Sequence, residues 1–407
     1  MQPRLFISGL LALTMALSCS CSDSAKEGVS GGKGQRPGGG SETVVWHSRA
    51  YETMQAIDRY YGITTGSLAG LYNEHSPKGS SDGAASFLWP YDGLVSGAAC
   101  LNALGYDVSY KKKVDNFEKY LSNTNPAGYS SSVNGWGERY YDDNSIVGLN
   151  LVEAYRQLGD ASYLTRCARI VNFLLSGEDN VFDGGLWWCE QFKNNPAKAQ
   201  DGSNKPACAN SFAQWFLLSY YDVCPASEKA NVLAFAKRLY NWTYNTLRDP
   251  VDNVYWNDKG ADGVIHTTKW TYNSGAMIAA GYRLWKITGE QHYLDEAKAT
   301  ATGAWSYFAR NHNGVSKTYP LNDPWFTIKL IKAYIELEPE YPACNTYIRL
   351  FISYADSAWE AARQPSGLFL EDWSGRKREA SRDSKLLMQD AALESFGVIA
   401  LYNKEHK

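Results

Sequence analysis

The 407-residue sequence contains no CxxC pair, no HExxH motif and only six scattered histidines. These absences argue against a zinc ribbon, a thioredoxin-like redox site and a zinc hydrolase, so we expect no metal and no other cofactor. The formal net charge is −3, so the chain lacks the basic excess that favours a nucleic-acid partner. Its function has to reside in other side chains.

The apolar run at residues 5–17, LFISGLLALTMAL, is too short to span a membrane. It follows Arg4, and the ALSC at its end resembles a bacterial lipoprotein cleavage box in which Cys19 receives the lipid. Cys21 is a second option, and an ordinary secretory signal is the alternative. We expect residues 1–18 to be a lipoprotein signal peptide. The protein would then be lipid-anchored in the bacterial cell envelope, at the outer membrane and cell surface or in the periplasm.

Residues 19–45 are rich in glycine, serine and charge, a composition that cannot form a core and that predicts a flexible tether. Residues 46–407 are expected to form a single catalytic domain, because no further linker interrupts them. Cys189 and Cys208 flank a polar loop of this domain and could form a disulfide outside the cytoplasm.

Helical hairpins repeat along this domain. AYRQLGDASYL (154–164) and RLWKITGEQHYL (283–294) both end a helix at a glycine, Gly159 or Gly289, and then start another helix. Helices that are apolar nearly all round recur about every 50 to 68 residues, as expected of a repeat architecture. They begin near Asp92, Asp142, Asn210, Asn273, Asp323 and Asp390. With the amphipathic helices between them, about twelve helices predict an all-α (α/α)6 toroid. Two stacked helical domains would fit less well.

In such a ring the inner helices run parallel, so their N-termini open onto one face. The loops 177–209, 249–272 and 364–389 would wall that face. They carry Trp187, Trp188, Trp256, Trp270 and Trp373. Each Asp or Asn at a helix start could be only an N-cap. Because aromatic residues make up 14% of the chain and rings stack well on sugars, we instead expect an acid- and Trp-lined glycan cleft.

Two adjacent acids, Asp142 and Asp143, start one inner helix. Glycoside hydrolysis uses two carboxyl groups, held about 5 Å apart in retaining enzymes and about 6.5 to 9.5 Å apart in inverting ones. Adjacent residues fit the shorter separation. Repulsion between the two groups raises the pKa of one, and the helix N-terminus favours ionisation of the other.

Three segments resemble glycoside hydrolase family 76, the bacterial and fungal endo-α-1,6-mannanases. They are RYYDD (139–143), DGGLWW (183–188) and KWTYNSGAMIAAGYRLWKITGEQHYL (269–294), within a resemblance that spans residues 46–402. The resemblance implies the (α/α)6 fold, no required metal, and retaining cleavage of α-1,6-linked mannose chains. It implies Asp142 as nucleophile and Asp143 as acid/base. Tyr272, Asn273 and Trp188 would line the sugar site. The chain departs from the family at Asn144 and Ser145, where a larger or aromatic residue is expected, and in a long polar stretch at 189–210.

Position alone adds four candidate substrate contacts, for which the alternative is core packing or capping. They are Trp89, Asp92, Tyr141 and Asn210. We expect a monomer that acts on polymeric α-mannan. Two other functions fit the same pattern: a non-catalytic glycan-binding surface lipoprotein, and an (α/α)6 glycosidase with an inverting mechanism.

Overall fold

The computed structural model of the chain describes residues 45–406. The predicted signal peptide, the two candidate lipidation sites at Cys19 and Cys21, and the tether up to residue 44 lie outside the described residues. No helix within 45–406 is long and apolar enough to cross a membrane.

The described chain is built mainly of α-helices. In chain order they are α1 (Trp46–Tyr61), α2 (Leu88–Ala103), α3 (Tyr110–Asp115), α4 (Tyr141–Leu158), α5 (Ser162–Leu175), α6 (Ala207–Tyr221), α7 (Ala226–Leu247), α8 (Thr271–Thr288), α9 (Gln291–Phe308), α10 (Pro324–Leu337), α11 (Cys344–Ala361), α12 (Ala380–Asp383) and α13 (Leu386–Glu405). Short 3-10 helices lie at Asn116–Tyr120, Val133–Gly135, Val181–Asp183, Glu190–Phe192 and Pro196–Asp201.

Within residues 45–406, six inner helices form a closed ring: α2, α4, α6, α8, α10 and α13. Each contacts the next, and α13 returns to pack on α2. Helix α1 precedes the first inner helix, and α3, α5, α7, α9 and α11 lie between successive inner helices in sequence. This arrangement confirms the predicted (α/α)6 toroid. Close packing inside the ring depends on small residues. A Cβ at Gly97 would lie 2.5 Å from Leu393 Cγ, and one at Gly275 would lie 2.6 Å from the Leu330 Cα.

Short strands lie within the loops that connect the helices. Strands β1 (Leu121–Ser122) and β2 (Gly128–Tyr129) pair with each other, as do β6 (Arg310–His312) and β7 (Val315–Thr318). Strands β3 (Asn204–Pro206), β4 (Trp256–Gly260) and β5 (Ile265–Lys269) form an antiparallel sheet in that order, with Pro206 opposite Asp258. Because β3 leads directly into α6 and β5 leads into α8, this sheet stands at the N-terminal face of the inner helices.

An amide side chain at the fourth residue of three inner helices fastens the preceding loop. In each case the side-chain oxygen accepts the N–H of one loop residue at 2.7 Å, and the side-chain nitrogen donates to the same residue's carbonyl at 2.9–3.0 Å. The pairs are Asn144 with Tyr129, Asn210 with Leu186, and Gln389 with Phe369. We call these contacts the amide clamps. They explain the unexpected Asn144 as a structural residue.

The amide clamps also correct one expectation and decide against one alternative. Asn210 is fully buried and bonded to Leu186 and to the Pro206 carbonyl, so it fastens a loop and does not face the cleft. The alternative that the Asp and Asn residues only cap their helices does not hold for α4 and α6. Residue Tyr140 is the N-cap of α4 and Pro206 that of α6, and neither makes a side-chain capping bond in the described chain.

We predict that Asn210→Ala lowers the free energy of unfolding by about 2–4 kcal/mol, because it leaves the buried backbone N–H and C=O of Leu186 without partners. Urea denaturation followed by circular dichroism measures the change. The matched control is Asn231→Ala on the exposed side of α7, which should change stability by less than about 0.5 kcal/mol. Equal effects of the two substitutions would contradict a clamping role.

Candidate active site

Asp142 is the second residue of α4 and is held by three donors. Its Oδ2 accepts from the Trp188 indole Nε1 at 3.0 Å and from the Cys208 thiol at 3.1 Å. Its Oδ1 accepts from the backbone N–H of Asp143 at 3.1 Å. Donors aimed at a carboxylate favour its charged form. Burial raises the pKa of Asp142, and the hydrogen bonds from Cys208 and Trp188 oppose that rise.

Asp143, the next residue, has the opposite environment. Among the described residues, none donates a hydrogen bond to its carboxyl group. Burial and the negative charge of Asp142 raise the pKa of Asp143 well above its usual range. The two neighbouring carboxyl groups therefore differ: Asp142 ionises first, and Asp143 retains its proton. Both side chains remain partly exposed, so a ligand can reach them.

Backbone contacts fix Trp188 over the start of α4. Its carbonyl accepts the N–H of Tyr141 at 3.0 Å, and its own N–H donates to the Asn204 carbonyl at 2.9 Å. The ring also lies against Gly202, where a Cβ would approach Trp188 Cζ3 to 3.3 Å at a φ of +103°. The Tyr140 ring also packs against the Trp188 ring, with centroids 4.9 Å apart. Backbone hydrogen bonds and ring packing together thus aim the indole N–H at Asp142.

Cys208 is a site residue that sequence reasoning missed. The suggested disulfide is wrong, because Cys189 and Cys208 are both free thiols. Cys189 donates to the Gln191 side-chain oxygen at 3.3 Å, while Cys208 donates to Asp142. The repeat offered a signal: Cys208 is the second residue of its inner helix, as Asp142 is of α4.

Aromatic side chains on three other inner-helix starts gather near these acids. Tyr272 stacks on Phe326 at 4.6 Å, and Trp89 meets Trp325 edge-on at 5.2 Å. Trp270 packs on Phe326 at 5.5 Å. Burial, then the nearby Cys208 and Asp142, raise the pKa of Tyr272 well above its usual range. Trp89, Tyr272, Trp270 and Phe326 stay partly exposed, so they offer ring faces to a ligand. Phe326 was not anticipated from sequence.

Unpartnered polar atoms lie deeper between the inner helices. Asp92 is fully buried, and its Oδ2 has no hydrogen-bond partner among residues 45–406. Burial and the nearby Asp143 raise its pKa well above the usual range. Within the same residues, Asn273 is fully buried and neither of its amide atoms has a partner. Both carboxyl oxygens of Asp390 are also unpartnered there. Such groups are rare in folded proteins and suit a ligand or water that satisfies them.

Three predicted aromatic contacts do not face the acid pair. Tyr141 is fully buried, stacks on Phe173 at 4.7 Å and bonds through its hydroxyl to Ser176, because the first helical residue turns toward the outer helix α5. Trp187 and Trp373 are only 1% exposed and belong to the core. The structure brings together Asp142, Asp143, Trp188 and Tyr272, and it adds Tyr140 and Cys208.

No cluster of three or more His, Cys, Asp and Glu side chains suited to a metal ion occurs within residues 45–406. The described site therefore consists of two unlike carboxyl groups, aromatic rings and buried polar atoms. Glycoside hydrolysis uses paired carboxyl groups of this kind.

The family model "Glycosyl hydrolase family 76" matches residues 46–366. The chain belongs to glycoside hydrolase family 76. No curated protein matches the chain in sequence.

Several solved structures share the fold. A family 76 mannosidase of Bacteroides thetaiotaomicron is 22% identical with a TM-score of 0.75, covering 89% of this chain and 100% of its own. A family 76 α-mannanase of the same organism is 23% identical with a TM-score of 0.75, covering 89% and 97%. An inactive variant of the α-1,6-mannanase of a Salegentibacter species, in complex with α-1,6-mannotriose, is 20% identical with a TM-score of 0.68, covering 88% and 99%.

We predict that Asp143→Asn raises the melting temperature at pH 8. A group whose pKa is raised by folding contributes stability below its unfolded pKa and loses that contribution as pH rises through the folded pKa. Replacing this ionisable group by a neutral amide should therefore stabilise the protein at high pH and have no effect near pH 4. Each 1 kcal/mol corresponds to roughly 1–2 °C in a folded domain of this size.

Asp160 is the matched control for this melting experiment. Hydrogen bonds from Ser162, assisted by Lys111, lower the pKa of this exposed carboxylate. Asp160→Asn should therefore lower the melting temperature at pH 8. If Asp143→Asn also lowers it, the account of Asp143 as a destabilised, proton-retaining acid is wrong.

Proposed function

We propose that this protein is a monomeric, retaining, endo-acting glycoside hydrolase that cleaves α-1,6-mannosidic linkages in the backbone of mannan. The observation that carries the proposal is the unequal hydrogen bonding of two adjacent carboxyl groups, with three donors on Asp142 and none from the described residues on Asp143. Support for the substrate comes from the family and from similar structures named as α-mannanases.

The two acids divide the reaction between them. The ionised Asp142 attacks the anomeric carbon while Asp143 gives its proton to the departing glycosidic oxygen, which breaks the C1–O bond and leaves a mannosyl ester on Asp142. Asp143, now ionised, then takes a proton from water. That water attacks C1, the ester bond breaks, and Asp142 is released as a carboxylate. Two inversions at C1 give net retention.

The substrate-binding part of the proposal rests on the side chains around the acids. Trp89 and Tyr272 offer ring faces on which a pyranose can stack. The Asp92 carboxyl group and the Asn273 amide are buried and keep unpartnered polar atoms among the described residues, and each can both donate to and accept from a sugar hydroxyl or a bridging water. Trp188 has its indole N–H on Asp142 and contributes mainly ring surface. Tyr141 and Asn210 have no part in this proposal.

A solved relative offers a parallel. Its inactive variant carries asparagine at two consecutive aspartates and was obtained in complex with α-1,6-mannotriose. This chain carries its own consecutive aspartates at a helix start beside a tryptophan. The parallel supports hydrolysis over the alternative of a glycan-binding lipoprotein without activity.

We predict that Asp142→Asn and Asp143→Asn each reduce kcat on linear α-1,6-mannan, Asp143→Asn by about 10²–10⁴-fold because general-acid assistance is lost. An aryl α-mannoside with a good leaving group needs no such assistance. It should restore the first step in Asp143→Asn and not in Asp142→Asn. Product analysis on linear and branched mannan measures both turnover and branch tolerance.

Three outcomes would contradict this assignment. Near-normal turnover by Asp142→Asn would exclude it as nucleophile. The β-anomer as first-formed product, seen by proton NMR, would favour the inverting alternative. Binding of mannan by calorimetry without any released oligosaccharide would favour the non-catalytic lipoprotein.

We also propose that the protein is anchored in the bacterial cell envelope through a lipid on Cys19. The lipoprotein-like ALSC box supports this. Labelled palmitate should be incorporated into the full chain and into Cys21→Ala, and lost from Cys19→Ala. Labelling that survives in Cys19→Ala and is lost in Cys21→Ala would move the lipid to Cys21.

A further inference from the structure

We propose that Cys208 is a positioning residue for Asp142, and that its thiol orients the attacking carboxylate and sets the pH at which it becomes active. This inference rests on the proposed function, since it concerns the same reaction. Cys208 does not touch the substrate in this account; it acts through the Asp142 carboxylate.

The geometry is specific. The Cys208 Sγ lies 3.1 Å from Asp142 Oδ2, the oxygen that also receives the Trp188 indole N–H at 3.0 Å. The thiol comes from α6 and the indole from the loop after α5, so two separate elements converge on one oxygen. Cys208 is only 8% exposed and is a free thiol. The contact is therefore shielded from competing water.

The Cys208 thiol keeps the proton that it donates in this hydrogen bond. Burial and the negative charge of Asp142 raise the pKa of Cys208 well above its usual range, so the sulfur keeps its proton. A thiol is a weaker donor than a hydroxyl or an indole. It can hold a carboxylate oxygen in place while drawing less charge from it, which suits a group that must be both ionised and nucleophilic.

Other groups that titrate face this pair from every side. Asp143 belongs to the same helix, and Asp258 on β4 acts on Cys208. The remaining neighbours that interact with Asp142 are Asp92, Tyr140, Cys189 and Tyr272. None of these neighbours is a cation that could replace a lost donor, so the loss of a donor should make the ionisation of Asp142 harder.

The packing alternative makes a different prediction, and three substitutions separate the two. Cys208→Ser keeps a donor, Cys208→Val fills similar space without one, and Cys208→Ala has neither. If the thiol acts as donor, Ala and Val should both move the acid limb of the kcat/KM profile to higher pH, because Asp142 loses a stabilising bond. Their kcat should fall about 3- to 10-fold with KM little changed. Cys208→Ser should keep the acid limb at or below its original pH.

Cys167 provides the control, since it is another buried free thiol, on α5, near the Gly148 carbonyl. Cys167→Ala should leave the pH profile where it is. If Cys208→Val preserves the profile while Ser and Ala lose activity alike, Cys208 only fills space and the proposal is overturned. Identical profiles for all Cys208 variants would overturn it as well.

A spectroscopic measurement that does not depend on catalysis tests this inference separately from the proposed function. The Raman spectrum of the protein minus that of Cys208→Ser isolates the S–H stretch of Cys208. In an Asp142→Asn background that band should move to higher frequency, because an amide oxygen is a weaker acceptor than a carboxylate. An unmoved band would overturn the contact itself. A moved band, together with a failure of the unsubstituted protein to hydrolyse mannan, would contradict the proposed function while leaving the hydrogen bond established.

Discussion

The site depends on the repulsion between two carboxyl groups placed on consecutive residues of one helix. Neither group is in bulk water, so burial opposes the ionisation of both. Repulsion between them then makes a second negative charge on the pair unfavourable. Three donors aimed at Asp142 decide which residue carries that charge. The difference between the proposed nucleophile and the proposed acid thus arises from the surroundings of two identical side chains.

Those surroundings exist because the ring of inner helices places their starts on one face. The donors to Asp142 come from the loop after α5, from α6 and from α4 itself. The amide clamps at Asn144 and Asn210 tie the loops to the helices that carry these groups. Loop positions near the acids are therefore fixed by buried hydrogen bonds, which preorganises the site before any ligand arrives.

Much of the architecture could be predicted from sequence, because hairpin repeats and all-round apolar helices leave a periodic pattern. The pattern also predicted which helix begins with the acid pair. It could not separate residues that face the axis from those that face outward at a helix start. Tyr141 turns outward against Phe173, whereas Tyr140, one residue earlier, packs beside Trp188. A one-residue step changes the direction of a helical side chain by about 100°, and helix boundaries are not readable to that precision.

Two other features could not be predicted from the sequence because they are contacts between segments that are distant along the chain. The thiol of Cys208 meets Asp142 across 66 positions of sequence, and cysteine spacing suggested a disulfide with Cys189 instead. The amides of Asn144 and Asn210 looked like a departure from the family and a sugar contact, yet both bind backbone. A polar residue at a helix start can cap the helix, fasten a loop or contact a ligand. Only the partners of its side chain in the structure distinguish these roles.

The most direct test is to trap the covalent intermediate. A fluorinated α-mannosyl donor with a good leaving group should react once and then hydrolyse slowly, leaving a sugar on the enzyme. Mass spectrometry of peptic peptides locates it. The account predicts a mannosyl ester on Asp142, and its absence from Asp142→Asn. An ester on Asp143, or turnover of the donor with no ester on either residue, would contradict the division of roles between the two acids.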